Sequence, residues 1–108
     1  MQAIRPWLSI GSYRDTLNRA LLDDHNVGAI LLLAADVAQP GLVTLYLPIE
    51  DGEIIAEEQL RRGVDFVLAQ QAAGRHVLVA CGAGISRSTT FAIAALKEAE
   101  RLTLLGAA

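Results

Sequence analysis

"HVLVACGAGISRSTT", His76 to Thr90, decides how this chain is read. "HVLVA" is a short run of branched apolar residues, the mark of a buried strand, and "STTFAIAALKEAERL" reads as a helix whose first half is almost wholly apolar and so belongs inside. A glycine-bearing loop joins them. Such a loop at a helix N-terminus directs several unpaired backbone N–H groups into one small space, where the helix dipole also favours negative charge. The chain's only cysteine, Cys81, stands at the foot of that cradle, and Arg87 follows six residues later.

Outward from this stretch, strand and helix patterns alternate. "WLSIG" reads as a strand closed by Gly11, and "TLNRALLDD" as one helix with Leu17, Leu21 and Leu22 at helical spacing and Asp15 or Thr16 as its cap. "GAILLLA" is a continuous apolar run of the kind buried on both faces of a parallel sheet. "LVTLYLPI" is a further strand after the Pro40-Gly41 turn signal. From about Ala56 to Ala73, Leu60, Val64, Val67 and Leu68 recur at helical spacing, and Gly74 stands where a C-cap glycine belongs. The order is strand, helix, strand, strand, helix, strand, helix. It implies an α/β fold with a central, mostly parallel sheet of about four to five strands flanked by helices.

Composition narrows the function classes. With 108 residues and no linker, the chain is expected to form a single domain, residues 1–108. Its 53% hydrophobic content is that of a folding chain. The longest apolar run, Val27 to Ala38, is broken by Asp36 and falls short of the roughly 20 residues of a membrane helix. No membrane partner is expected. The N-terminus lacks the pattern of a secretory signal, and a lone cysteine suits a reducing compartment, so the expected address is cytoplasmic. A net charge of −3 with interspersed signs offers no footprint for nucleic acid. His25, His76 and Cys81 have no metal-ligand spacing, and no metal or cofactor is expected.

Within the cradle each residue type has a use. Gly82 and Gly84 permit the backbone angles and the close approach that a cradle needs, and Arg87 can close on a phosphate with two parallel guanidinium hydrogen bonds. The same amides and Arg87 would stabilise a Cys81 thiolate, the reactive form of the residue. Ser88 could donate its hydroxyl to that sulfur when it becomes a leaving group. The bland alternatives are a cysteine that only fills a core, an arginine on a helix surface, and aromatic residues, Trp7 and Tyr13, that only pack. Against the second, a cation is disfavoured at a helix N-terminus unless an anion joins it. The pair Arg61-Arg62 reads as a solvated helix face, and His25 and His76 as surface or strand-edge residues.

"CGAGISRS" resembles the C-x5-R loop of the cysteine-dependent protein tyrosine phosphatases, and its A-G-I-S-R-S ending resembles the dual-specificity branch. "IRPWLSIGSYRDTLNRALLDDHNVGAILLLA" and "LYLPIEDGEIIAEEQLRRGVDFVLAQQAAGRHVLVAC" are similar to the same branch, so the likeness runs from about Ile4 to Leu105. The resemblance implies hydrolysis of phosphotyrosine, and of phosphoserine or phosphothreonine, on a protein or peptide. Cys81 would be the nucleophile, and the backbone of Gly82, Ala83, Gly84, Ile85 and Ser86 would hold the phosphate together with Arg87. Asp51 in "LPIEDGE", 30 positions before Cys81, would be the general acid, with Glu50 as the fallback donor. An Asp-Gly turn with no catalytic part is the plain alternative for Asp51.

Two departures stand out. The family usually carries histidine before the cysteine, where this chain has Ala80, which implies slower turnover or, in the rival reading, a phosphate-binding pseudophosphatase. The chain also stops at "LTLLGAA", near where the family continues into further helices. Self-association would be the simplest cover for apolar surface left there, which leads to an expected homo-oligomer. A structural oligomer with a vestigial site is the third reading.

Overall fold

A computed structural model of the protein describes residues 1–49, 54–82 and 86–107. The chain runs β1 (Gln2–Arg5), β2 (Leu8–Ser12), α1 (Tyr13–Leu17), α2 (Arg19–Asp24), β3 (Val27–Leu32), β4 (Val43–Tyr46), α3 (Glu57–Ala72), β5 (His76–Cys81) and α4 (Ser86–Ala107). The strands form one sheet in the order β1-β2-β5-β3-β4, parallel throughout except for the antiparallel edge strand β1. This is the expected mostly parallel α/β sheet, with β5 at its centre.

Alternation along β5 divides the interior. Val77, Val79 and Cys81 enter the larger cluster, beneath α3 and α4, with Leu8, Ile10, Leu31, Val64, Val67 and Phe91. Leu78 and Ala80 enter the smaller cluster, beneath α1 and α2, with Leu22, Ile30, Leu32 and Val37. A register irregularity between Val27 and Ala29 shifts β3 by one residue there, so that Val27 joins the smaller cluster while Ala29 joins the larger. The two long helices approach closely at Gly63, where an added Cβ would overlap the Phe91 ring. Phe91 is fully buried.

Three local readings are corrected. The single helix expected across "TLNRALLDD" is two, because Asn18 leaves helical angles at φ −97° and ψ 90° and accepts the Leu21 N–H at 3.1 Å through Oδ1, capping α2. Neither Asp15 nor Thr16 is a cap: the helix begins after Ser12, and Asp15 reaches back to accept the Ser12 N–H at 3.0 Å. Finally, residues 2–5 form the edge strand β1, which no apolar alternation announced because nearly all of its side chains are exposed. The reading of Gly74 holds, since it follows the end of α3 at φ +80°.

At the far end of the sheet His76 bridges two elements. Its Nδ1 lies 2.7 Å from the His25 carbonyl oxygen, which can only accept, so in the neutral ring Nε2 accepts from the buried Ser9 hydroxyl, also at 2.7 Å. His76 is therefore a structural strand-edge residue, as its sequence position implies.

Candidate active site

Because β2, β5, β3 and β4 are parallel, their C-terminal ends share one edge of the sheet, the edge where α/β folds bind ligands. Ser12 is paired with Cys81 there, and Leu33, just beyond β3, donates its N–H to the Ala80 carbonyl at 2.9 Å. After β4 the chain keeps this register: Leu47 and Ile49 donate to the carbonyls of Leu32 and Leu33 at 2.8 and 3.0 Å. Cys81 thus leaves the central strand with Ser12 on one side and residues 33 and 49 on the other. It is 1% exposed and packs in the larger core cluster.

Arg87 is the second residue of α4 and half-buried. Its Nη1 donates to the Ile49 carbonyl oxygen, which ties the guanidinium to the segment that follows β4. Its Nη2 lies 3.2 Å from where a Cβ on Gly82 would stand. Gly82 is not among the described residues with positive φ, so its value is room for Arg87 rather than unusual backbone angles. The Arg87 guanidinium therefore stands beside Gly82, the residue that follows Cys81 in the chain. Ser88 is fully buried, and its hydroxyl donates toward the Gly11 carbonyl at 3.5 Å, the long limit of a hydrogen bond. A contact that long is weak, and the hydroxyl can turn to a stronger acceptor.

The remaining expected site residues, Asp51, its neighbour Glu50, and Ala83, Gly84 and Ile85, lie outside the described residues. For Ser86 the structure describes its backbone as the first residue of α4. Sequence reasoning missed the Ile49 carbonyl, since a main-chain acceptor has no signature of residue type. It also missed the groove beside Gly82, a space of about 560 Å³ lined by Tyr13, Arg14, Ala34, Ala35 and Gly82. Tyr13, read as a packing residue, is 37% exposed there. The signal that could have found it is Ser12-x-x-Asp15 directly after a strand, a helix start that turns Tyr13 and Arg14 onto the sheet edge.

α1 is firmly anchored. Burial opposes ionisation of Asp15, yet the Ser12 N–H and the Met1 amine, 3.1 Å from Oδ2, hold its carboxyl below the usual carboxylate range. Gly11 leaves the space this carboxylate occupies, since a Cβ there would lie 2.6 Å from Oδ2. Thr16 is buried, with its hydroxyl on the Tyr13 carbonyl at 2.5 Å.

Ala80 faces away from Cys81. Its strand partners are Gly11 and Leu32, and it packs in the cluster of Leu22, Leu32, Val37 and Leu78. An imidazole at this position would displace apolar neighbours and bury a polar ring among them. Ala80→His is therefore expected to destabilise the fold by roughly 2–4 kcal/mol, from overpacking and an unsatisfied ring nitrogen together. Urea unfolding of both proteins measures it; an unchanged midpoint would show that the cluster accommodates the ring.

No protein-family model matches the chain. Among curated proteins, "Dual specificity protein phosphatase 16" of Homo sapiens is 35% identical over 107 residues, and "Dual specificity protein phosphatase 12" of Rattus norvegicus is 31% identical over 107. These alignments cover 94% and 93% of this chain but 16% and 32% of the relatives' own lengths. Among solved structures, DUSP15 superposes with a TM-score of 0.77 at 24% identity, covering 84% of this chain and 60% of that one. Tk-PTP superposes at 0.72 and 25% identity, covering 98% and 76%.

Proposed function

We propose that this chain, which belongs to the dual-specificity branch of the cysteine-dependent protein tyrosine phosphatases by sequence and fold, is a single phosphatase-like domain that hydrolyses phosphotyrosine on proteins without a metal. Phosphoserine and phosphothreonine are further substrates on this reading. The observation that carries it is the Ile49-tethered Arg87 guanidinium beside Gly82, the residue that follows Cys81 at the C-terminal edge of the central strand.

In the first step the Cys81 sulfur attacks phosphorus, the P–S bond forms, and the bond to the leaving oxygen breaks. Arg87 and the amides of residues 82–86 hold the three equatorial oxygens as charge spreads over them. Asp51 gives its proton to the departing oxygen. Support for that role comes from Ile49, two positions upstream, whose carbonyl accepts from Arg87. In the second step water attacks phosphorus, Asp51 takes the water's proton, the P–S bond breaks, and inorganic phosphate leaves. Ser88 donates its hydroxyl to the sulfur as it departs.

Steady-state hydrolysis of a small aryl phosphate, with a chelator present, tests the proposal. Turnover is expected; its absence across roughly pH 5 to 8, with phosphopeptide binding that depends on Arg87, would make the site a phosphate binder instead. Asp51→Asn should slow an aryl phosphate with a poor leaving group by about 10²-fold or more, and one with a good leaving group much less. Equal slowing of both would remove Asp51 from the acid role.

A further inference from the structure

Ser88 donates to the departing sulfur in the mechanism above, and what holds its hydroxyl until then is a carbonyl on β2. Among the described residues the one hydrogen bond of this fully buried side chain is to the Gly11 carbonyl, at 3.5 Å. Gly11 is the strand partner of Ala80 and Ser12 that of Cys81, so the acceptor lies on the strand beside the nucleophile. The same peptide group continues to the Ser12 N–H, which Asp15 Oδ2 accepts at 3.0 Å from the first turn of α1. One planar peptide unit therefore carries both contacts. Its C=O faces Ser88 on α4 and its N–H faces Asp15 on α1, in opposite directions because the bond is trans.

The unit is pinned from the Asp15 side. A Cβ on Gly11 would stand 2.6 Å from Oδ2, so the glycine is what lets the carboxylate reach the N–H. The charged acceptor makes the shorter bond and fixes the peptide plane, while Ser88 makes the longer one. A carboxylate on the N–H also polarises the peptide toward its oxygen, which strengthens that oxygen as an acceptor. We infer that Asp15 is a positioning residue for the second step, acting on Ser88 through the peptide between Gly11 and Ser12. In that step the water oxygen bonds phosphorus, the P–S electron pair returns to sulfur and the water's proton goes to Asp51. Ser88 then turns from the Gly11 carbonyl to the thiolate, a stronger acceptor, with its own proton still on Oγ.

This inference rests on the phosphatase reading, and its test separates the two. On an aryl phosphate with a good leaving group, Asp15→Ala should lower kcat by about three- to tenfold, the worth of one ordinary hydrogen bond. KM should fall with it, leaving kcat/KM, which reports the first step, unchanged. Asp15→Asn keeps an oxygen acceptor for the Ser12 N–H and should retain most of kcat. Asn18→Ala removes the neighbouring cap, on α2, and should alter neither constant. In a Ser88→Ala background, Asp15→Ala should change kcat by less than about twofold. An unchanged kcat in Asp15→Ala, a fall in kcat/KM as large as that in kcat, the same loss in Asn18→Ala, or an equal effect with and without Ser88 would overturn the relay. Hydrolysis of the aryl phosphate by wild type reports on the phosphatase reading alone. Should turnover be absent, the cycle is read from urea unfolding midpoints: the double variant should lose less than the sum of the singles, and strict additivity overturns the relay.

Discussion

Cys81→Ser is expected to remove turnover of phosphomonoesters, with kcat/KM falling at least about 10⁴-fold, while the chain stays folded. The exchange is nearly isosteric, and Cys81 sits in the larger core cluster at 1% exposure, so the structural effect is a buried hydroxyl worth roughly 1–3 kcal/mol. The chemical effect is much larger. A serine hydroxyl at this position is a poor nucleophile without a base beside it, and the proposed cradle would stabilise an anion rather than supply that base. Arg87 and its Ile49 tether remain, so phosphopeptide binding should persist in the variant. Activity is measured on a small aryl phosphate and folding by circular dichroism. Substantial residual turnover by a folded Cys81→Ser protein would take the nucleophile's role away from Cys81.

Phe91→Ala is expected to have the largest effect on stability, about 3–5 kcal/mol. Phe91 is fully buried one helical turn after Arg87, and its ring fills the space that Gly63 leaves on α3. For a domain whose total stability is about 5–15 kcal/mol, that loss would remove much of it. It would also loosen the helix that carries Arg87. The complementary change, Gly63→Ala, tests the fit from the other side. Alanine improves helix propensity by about 1 kcal/mol, but its Cβ would stand 2.6 Å from Phe91 Cδ1, so overpacking should outweigh that gain. A double-mutant cycle with Phe91→Leu should then show coupling, the pair being less destabilised than the sum of the singles. Denaturant unfolding measures all three. A neutral or stabilising Gly63→Ala would mean that the helices do not meet at this contact.

Much of this was legible in the chain. The buried strand at His76, the apolar helix after it and the C-x5-R spacing carry period and residue type, which are what a linear string preserves. From them follow a mostly parallel sheet and an arginine beside the residue after the cysteine. Features that depend on tertiary company were not legible. β1 has exposed side chains and exists because β2 gives it an edge to pair with. Asn18 divides a helix that leucine spacing ran together, because a side-chain cap competes with the backbone bond. The meaning of Ala80 also changed. In sequence it is a missing catalytic helper; in the structure it is a small residue opposite Leu32 in an apolar cluster, and restoring histidine alone would not restore an interaction. Gly82, read as a source of backbone freedom, serves by leaving room for Arg87. The Ile49 carbonyl could not be anticipated, since any residue type supplies one.

The central claim is covalent catalysis by Cys81, and the most direct measurement is a rapid denaturing quench of the enzyme during turnover, followed by peptide mass spectrometry. With an aryl phosphate that has a good leaving group, Asp51→Asn should slow the hydrolytic second step more than the first and so raise the trapped fraction. One phosphoryl group on the peptide containing Cys81, lost in Cys81→Ser, is the predicted result. A phosphoryl group on another residue, or turnover with none on the chain at any quench time, would contradict it.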